Sequence, residues 1–174
     1  MNVFYLDTDP VLAAQYQCDR HVVKMILESA QLLSTAHRVL DGDEWADSHS
    51  LYKATHKNHP SAIWCRANVH NYNWLYKHFM ALCVEYTYRY GKKHLSETKL
   101  AEHLFFHPDS IPLYENFTAP TPAMDDEYKR DTSLKSYRYY YANAKAANSW
   151  FCYNKNRAAP AFLQAYKAAV VPTE

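Results

Sequence analysis

The stretch 19–40, DRHVVKMILESAQLLSTAHRVL, decides the predicted fold. Its apolar residues return every three or four positions, which is the spacing of one face of an α-helix. Asp41 and Gly42 follow directly, and a glycine at this point is a common helix end. The stretch therefore predicts a helix from Asp19 to about Leu40. The apolar face of this helix comprises Val22, Met25, Ile26, Ala30, Leu33 and Ala36.

The segments on either side also favour helices. Asp9 and Pro10, after the apolar residues 3–6, are typical of a helix N-cap and a first helical position. Further helices are predicted at about 61–90 with a break near 71–73 and a C-cap at Gly91, at 97–106, at 132–153 and from Pro160 onward. Residues 41–60 lack this period, and four prolines indicate a long loop at 107–127. We expect an all-α fold, a single mainly helical domain over residues 1–174 with a short extended segment at 3–6.

The composition excludes several classes of protein. The chain has 174 residues but only two glycines, so it lacks the glycine-rich loops of P-loop and dinucleotide-binding enzymes. No apolar run approaches the ~20 residues of a membrane span, and the acidic N-terminus is unlike a signal peptide. We therefore expect a cytoplasmic protein (in the host cytoplasm if a phage encodes it), with no membrane contact. The four separated cysteines indicate free thiols, and the histidines of 56–78 lack a metal-ligand pattern, so no metal or cofactor is expected.

Basic and aromatic residues are concentrated in the segment 128–167. This segment carries eight Lys or Arg residues and one acidic residue, whereas residues 1–127 carry 11 basic and 16 acidic ones. Aromatic rings stack on bases and cations neutralise phosphates, so the pattern indicates DNA or a nucleotide as the partner. The alternative is that the segment only neutralises the acidic part of the fold. The predicted nucleic-acid-binding residues are Arg20, Arg89, Lys93, Arg138, Tyr139, Tyr140, Lys145 and Trp150.

The helix at 19–40 also carries a polar stripe. Glu28 lies one turn from Lys24 and two turns from His21, and this combination suits acid–base chemistry or stabilisation of a developing cation. The alternative is an ordinary solvated helix face. A separate motif, Asp7-x-Asp9-x-Val11, matches the opening of a class of phosphatases in which the first aspartate attacks phosphorus. That chemistry requires a parallel β-sheet, which the rest of the sequence does not predict.

The chain resembles two known families. The motifs CDRHVVKM (18–25), HKNHP (56–60) and EYTYRYGK (85–92) resemble a family of small phage-borne proteins, and this likeness brings no chemistry. The order of features is also similar to the pyrimidine-dimer DNA glycosylase family, also called endonuclease V of phage. The residues that carry this second likeness are the segment 3–6 with Pro10, Glu28 within LESAQLL (27–33), His59-Pro60, Glu85 with Arg89-Tyr90-Gly91, and YRYYY (137–141).

The second resemblance implies a small helical DNA glycosylase that excises a damaged or modified base and can also have lyase activity. In that family an N-terminal α-amine attacks C1′ of a deoxynucleotide, and a glutamate on a helix stabilises the cationic sugar. Here the matching residues are Met1 and Glu28, with His21 and Lys24 as further catalytic candidates. Two positions differ, because Leu27 stands where the family has arginine and the family's N-terminal threonine has no counterpart.

A non-catalytic alternative remains open at the level of sequence. A small protein that binds nucleic acid or a nucleotide, for instance in phage–host interaction, would need the same rings and cations but not Glu28. A phosphatase of the Asp-x-Asp-x-Val type is the third interpretation.

Overall fold

The protein is all-α, as the sequence predicts. A computed structural model describes residues 1–168, and no β-strand occurs among them. No helix in this range is long and apolar enough to cross a membrane. The helices are α1 (Pro10–Gln15), α2 (Asp19–Leu40), α3 (Asp43–Ser48), α4 (Pro60–Ala67), α5 (Val69–Tyr90), α6 (Leu95–Leu104), α7 (Ser133–Tyr140) and α8 (Phe162–Ala168), with a 3-10 turn at Asp126–Tyr128 and a π-helical turn at Tyr141–Lys145.

The two longest helices, α2 and α5, form the centre of the fold. They pack against each other, α1 packs on α5, and α3, α4 and α6 pack on α2. One continuous hydrophobic core contains the apolar face of α2 and Phe79 of α5. All of these side chains are fully buried. The C-terminal elements contribute Tyr137 and Tyr141 to the same core. Burial of large side chains from distant segments in one cluster is the main source of stability in a domain of this size.

Several predicted boundaries are confirmed. Helix α2 spans the predicted residues, and the Asp9 carboxylate caps α1 by accepting hydrogen bonds from Val11 N and Leu12 N at 2.7 and 3.3 Å. Gly91 ends α5 with a φ of 68°, which a residue without Cβ adopts at no steric cost. The long loop at 107–127 is also present.

Other boundaries were wrong. The polar connection at 41–60 contains α3, a helix too short to show a period. The break in the 61–90 segment falls at Asn68, whose side chain caps α5 through Asn71 N at 2.9 Å, rather than at 71–73. The helix predicted for 132–153 ends with the π-helical turn at Lys145, and α6 begins at Leu95 instead of residue 97. The last helix starts at Phe162, and residues 169–174 of the predicted domain lie outside the described residues.

The polar stripe of α2 is only partly solvated; it comprises Arg20, His21, Lys24, Glu28, Gln31, Thr35 and Arg38. Thr35 and Arg38 are buried, as is His21. The Arg38 guanidinium binds the carboxylates of Asp43 and Asp47 at 2.7 and 2.8 Å and thereby fixes α3 on the end of α2. Three of the seven stripe residues are therefore buried, Arg20 and Lys24 are exposed, and Glu28 and Gln31 are half-buried.

A buried group of ion pairs joins the ends of α2 and α5 to the C-terminal segment. The Arg89 guanidinium binds Glu85 Oε1 at 2.7 Å and Asp19 Oδ1 at 3.0 Å, and its side chain is 0% exposed. It also donates to the carbonyl oxygens of Gln15 and Gln17. Arg157 binds Glu85 from the other side at 2.7 Å. Burial alone would raise the pKa of Glu85, but the guanidiniums of Arg157 and Arg89 lower it below its ordinary value.

The D-x-D-x-V phosphatase interpretation is wrong. The described residues contain no sheet to carry it. Asp9 caps α1, and Asp7 pairs with Arg138 at 2.9 Å instead of facing a substrate. Both carboxylates have structural partners, so neither is free to act as a nucleophile.

We expect Arg89→Ala to destabilise the protein by ~3–5 kcal/mol, because the substitution leaves the buried Asp19 carboxylate without a cation and Glu85 with Arg157 alone. Urea unfolding followed by circular dichroism measures this change. Lys93→Ala serves as the control, since Lys93 is 68% exposed and should change stability by less than ~0.5 kcal/mol. Equal effects of the two substitutions would contradict the structural role of Arg89.

Stability should also fall below pH ~6.5. Burial lowers the pKa of His78 and of His37 to about 4, from an ordinary value of 6.5. The unfolded chain therefore binds more protons than the folded one between these values, and the stability present above pH ~6.5 is lost as the pH falls toward 4. Each histidine contributes up to ~1.4 kcal/mol per pH unit. His78→Asn should reduce the slope by about one proton in urea titrations, whereas substitution of the exposed His70 should leave it unchanged.

Candidate functional site

The N-terminal segment, α2 and the C-terminal elements meet at a small polar cavity of about 220 Å³. All four predicted catalytic residues line it, together with two of the predicted nucleic-acid-binding residues. The lining residues are Met1, Asn2, Phe4, His21, Lys24, Met25, Glu28, Ala123, Tyr140 and Lys145.

Glu28 is the best-oriented group in this cavity. Its Oε2 accepts a hydrogen bond from the backbone N of Asn2 at 2.9 Å, and its Oε1 lies 3.4 Å from Lys24 Nζ. The carboxylate side chain is 12% exposed, so it is partly shielded from water while still reaching the cavity. Charge-assisted contacts of this kind hold a carboxylate in one place, as a catalytic carboxylate requires.

The N-terminal segment is held next to Glu28 by the side chain of Asn2. Asn2 Oδ1 accepts from the backbone N of Val3 and of Phe4 at 2.8 and 2.9 Å, and its Nδ2 donates to Ala123 O at 3.2 Å. Phe4 has a φ of 51°, so residues 3–6 are not the regular extended segment that the sequence predicts. A positive φ is costly for a bulky residue and persists only where the surroundings enforce it. Together these contacts hold the N-terminal segment at the cavity, which Met1 lines.

His59 lies near this cavity but is not among its lining residues. Burial lowers the pKa of His59, the N-terminal ammonium lowers it further, and the Glu28 carboxylate raises it. Its Nδ1 accepts from Ser61 N at 3.1 Å and so caps α4. The start of α4 is therefore close enough to interact electrostatically with both Met1 and Glu28.

His21 is enclosed by aromatic rings at one wall of the cavity. Phe4 stacks on it with the ring centroids 4.5 Å apart, and Trp150 meets it edge-on at 5.1 Å. Its Nδ1 lies 2.8 Å from the hydroxyl of Tyr141. Burial lowers the pKa of His21 to about 3, and the cations Lys145, Lys24 and Arg20 lower it in the same direction. The ring is therefore neutral at physiological pH.

A second, larger cavity of about 680 Å³ adjoins the first and shares Lys24 with it. Arg20 and Trp150 line it, and the guanidinium carbon of Arg20 lies 5.2 Å from the Trp150 ring centroid. Tyr90 and Lys155 also line it, with Lys155 Nζ 5.8 Å from the Tyr90 ring centroid. This cavity combines aromatic surface with three cations, and rings and cations are the groups that stack on bases and neutralise phosphates.

On the other side of the small cavity, rings and cations alternate along the surface. Lys145 Nζ lies 4.7 Å from the ring centroid of Tyr140. Tyr128 contacts the rings of Tyr140 and Tyr139 at 5.1 and 6.3 Å, and Arg130 stacks on Tyr139 at 3.5 Å. The structure therefore brings Tyr139, Tyr140 and Lys145 into one surface that continues from the cavity.

Three of the predicted nucleic-acid-binding residues are placed elsewhere. Arg89 is fully buried in its ion pairs, so its guanidinium has no surface to offer a phosphate. Arg138 donates to Leu6 O at 2.7 Å and pairs with Asp7, so its guanidinium holds the N-terminal segment in place. Lys93 is exposed beside Glu97 and lines neither cavity. These three residues therefore lie outside the nucleic-acid surface proposed below.

Among the histidines at 56–78, His56 and His59 lie in one turn, where His59 N donates to His56 O at 2.8 Å, whereas His78 contacts other segments. His78 is fully buried and contacts Pro10 O and Gln17 Nε2 at 3.0 and 3.1 Å. Within residues 1–168, no group of three or more His, Cys, Asp or Glu side chains is arranged to hold a metal ion.

Several residues of the two cavities were not predicted from the sequence. Asn2 and Ala123 could not be found, because only the folded chain brings them together across 121 positions. Tyr141 lines neither cavity but contacts His21, and its burial could have been predicted because it lies four residues after the buried Tyr137. The other missed lining residues are Phe4, Met25, Asp19, Val23, Tyr90, Cys152, Asn154 and Lys155.

A family model described as "Pyrimidine dimer DNA glycosylase" matches residues 1–98. The matched part contains Met1, Glu28, His21 and Lys24, which line the small cavity. No curated protein and no solved structure matches the chain significantly. Because the family model covers more than half of the 174 residues, the chain belongs to the pyrimidine dimer DNA glycosylase family.

Proposed function

We propose that the protein is a DNA glycosylase that removes a damaged or modified base at the small cavity, with Glu28 as its catalytic carboxylate. The observation that carries the proposal is the contact between Glu28 Oε2 and the nitrogen of Asn2 at 2.9 Å. This contact holds the carboxylate against the amide that follows Met1, the residue that carries the N-terminal amine, and family membership supports a glycosylase reaction.

The proposed nucleophile is the α-amine of Met1. An α-amine is the least basic ordinary amine of a protein, so an unprotonated fraction exists at neutral pH. Its lone pair forms a bond to C1′, the glycosidic bond breaks, and that electron pair leaves with the base, which takes up a proton. Loss of protons from the nitrogen and opening of the sugar, with O4′ protonated, then give a C1′=N imine.

Glu28 has two tasks in this scheme. Its negative charge stabilises the cationic character that C1′ acquires as the base departs. It then moves protons between the amine and O4′. In a lyase step, Glu28 would abstract a proton from C2′ of the imine, and this elimination would expel the 3′-phosphate. Lys24, paired with Glu28 at 3.4 Å, helps to hold the carboxylate in place and is a second amine within the same cavity.

DNA is proposed to lie across both cavities and the adjoining rings. C1′ inside a duplex is inaccessible, so the strand must be distorted and a nucleotide held out of the stack. Trp150 and Tyr140 offer rings on the two sides of the small cavity, and Arg20 and Lys145 offer cations beside them. We include Tyr139 and Arg130 at the far end of this surface.

A protein that binds nucleic acid or a nucleotide without catalysis is the second candidate. It is favoured by the larger cavity, whose rings and cations need no catalytic group to hold a nucleotide. A glycosylase requires the Glu28 carboxylate, whereas a protein that only binds nucleic acid or a nucleotide does not.

Glu28→Gln should lower the rate of base release by ~10²–10³-fold, because the amide keeps an oxygen acceptor for Asn2 N but has no charge. The assay is single-turnover release from duplexes that carry a thymine dimer, a hydroxymethylated base or a glycosylated base. Glu102→Gln on the exposed face of α6 is the matched control. If wild type binds these duplexes without releasing a base, the binding-protein candidate is correct instead.

Borohydride reduction during the reaction should link the protein covalently to DNA through the Met1 amine. Peptide mapping by mass spectrometry identifies the modified nitrogen. We expect an added residue ahead of Met1 to reduce the trapped product at least tenfold, while Lys24→Arg leaves it detectable. An adduct found on Lys24 would assign the nucleophile to that side chain.

Arg20→Ala should weaken duplex binding and lower the salt dependence of log K by about 0.9, the contribution of one phosphate contact. Trp150→Leu should weaken binding with little change in this slope, because a ring carries no charge. Fluorescence anisotropy at several salt concentrations measures both effects. Lys77→Ala is the control, since Lys77 lines a separate cavity with Tyr76 and Phe105; an equal slope change there would contradict the proposed surface.

A further inference from the structure

The hydroxyl of Tyr141 occupies a defined position between α2 and the π-helical turn. It lies 2.8 Å from the backbone N of Cys18 and 2.8 Å from His21 Nδ1. Tyr141 is completely buried, so no water competes for these contacts. The residue lies outside the part of the chain that the family model matches.

The direction of these two hydrogen bonds follows from their donors. A backbone N–H can only donate, so the Tyr141 oxygen accepts from Cys18. A buried hydroxyl proton also needs an acceptor, and His21 Nδ1 lies within hydrogen-bond distance to accept it, so the geometry favours donation from Tyr141 to His21. Burial raises the pKa of Tyr141 well above its ordinary value, so this proton stays in place at neutral pH. An imidazole that accepts at Nδ1 carries its own proton on Nε2.

We propose that Tyr141 is a positioning residue that fixes His21 as a neutral imidazole with its Nε2–H directed to the glycosylase cavity. The catalytic role of His21 in this inference rests on the proposed function. His21 lines the cavity. Among the described residues, its Nε2 has no hydrogen-bond partner, and this atom is not fully buried. Phe4 and Trp150 hold the ring from two sides, so its orientation is set as well as its tautomer.

This arrangement assigns His21 a different task from a general acid or base. Three cations face it, Arg20 and Lys24 from its own helix and Lys145 from the π-helical turn, and they oppose a positive charge on the ring. A neutral N–H in the cavity can donate to the departing base or to the sugar oxygen without exchanging a proton. His21 would therefore act as a fixed hydrogen-bond donor, in the way that a backbone N–H does.

The tautomer is measured directly by long-range ¹H–¹⁵N correlation spectra of the full chain. We expect His21 to show the Nε2-protonated neutral form throughout pH 5.5–8, and Tyr141→Phe to give a mixture of the two neutral tautomers. Tyr76→Phe is the control, since it removes a tyrosine hydroxyl that binds Ala101 O far from His21. A His21 ring protonated on Nδ1 in wild type would overturn the inference.

Kinetics test the role of the donor. His21→Gln retains an N–H near the position of Nε2 and should release bases within about tenfold of wild type, whereas His21→Leu should lose ~10²-fold or more. Tyr141→Phe should lower kcat about tenfold with KM changed less than twofold. Equal losses in the Gln and Leu variants would show that a titrating imidazole is needed and overturn the donor role. If wild type releases no base at all, the proposed function fails, and the spectra alone then decide the role of Tyr141.

Discussion

The buried ion pairs around Arg89 are the interaction on which the rest of the structure depends. Arg89 binds carboxylates from α2 and α5 and the carbonyl oxygens that precede α2, so one side chain fixes three backbone segments. Asp19 extends the network by accepting from Asn154 N at 2.7 Å, and Arg157 completes it on Glu85. Two guanidiniums balance two carboxylates, which is the condition for placing charge inside a protein. The consequence for function is that the C-terminal segment, including Trp150, is tied to the start of α2.

The site is assembled from two parts of the chain that are far apart in sequence. The N-terminal part supplies Met1, Glu28 and His21, and the C-terminal part supplies Tyr140, Tyr141 and Lys145. The family match extends over residues 1–98 and so covers only the first part. The proposed catalytic groups thus belong to the matched segment, while the rings and cations that would hold DNA come mostly from elsewhere. In this proposal, substrate choice and chemistry are carried by different segments that meet at one cavity.

The sequence predicted the elements whose signals are local. The period of α2, the Asp9 cap and the glycine after α5 each depend on a few neighbouring residues, and all three were confirmed. Short or irregular elements were missed, because α3 has too few residues for a period and a π-helical turn has the composition of an ordinary helix. Among the candidate site residues, Glu28 was predicted from its place on a helix face and lines the small cavity, yet the buried role of Arg89 could not be recognised. A basic residue between aromatic ones looks the same in sequence whether it faces DNA or a carboxylate.

By itself, the sequence determined that the protein is helical, which helix carries the polar stripe, and that rings and cations are concentrated near the C-terminus. Periodicity and composition carry this information because each residue contributes to it independently of its distant neighbours. Only the tertiary structure decided which polar residues face the cavity and which are consumed in internal contacts. It directed Arg38, Arg89 and Arg138 inward and left Glu28 beside the N-terminus. The physical reason is that a buried charge must find a partner, and the partners available to it are fixed only when segments distant in sequence pack together.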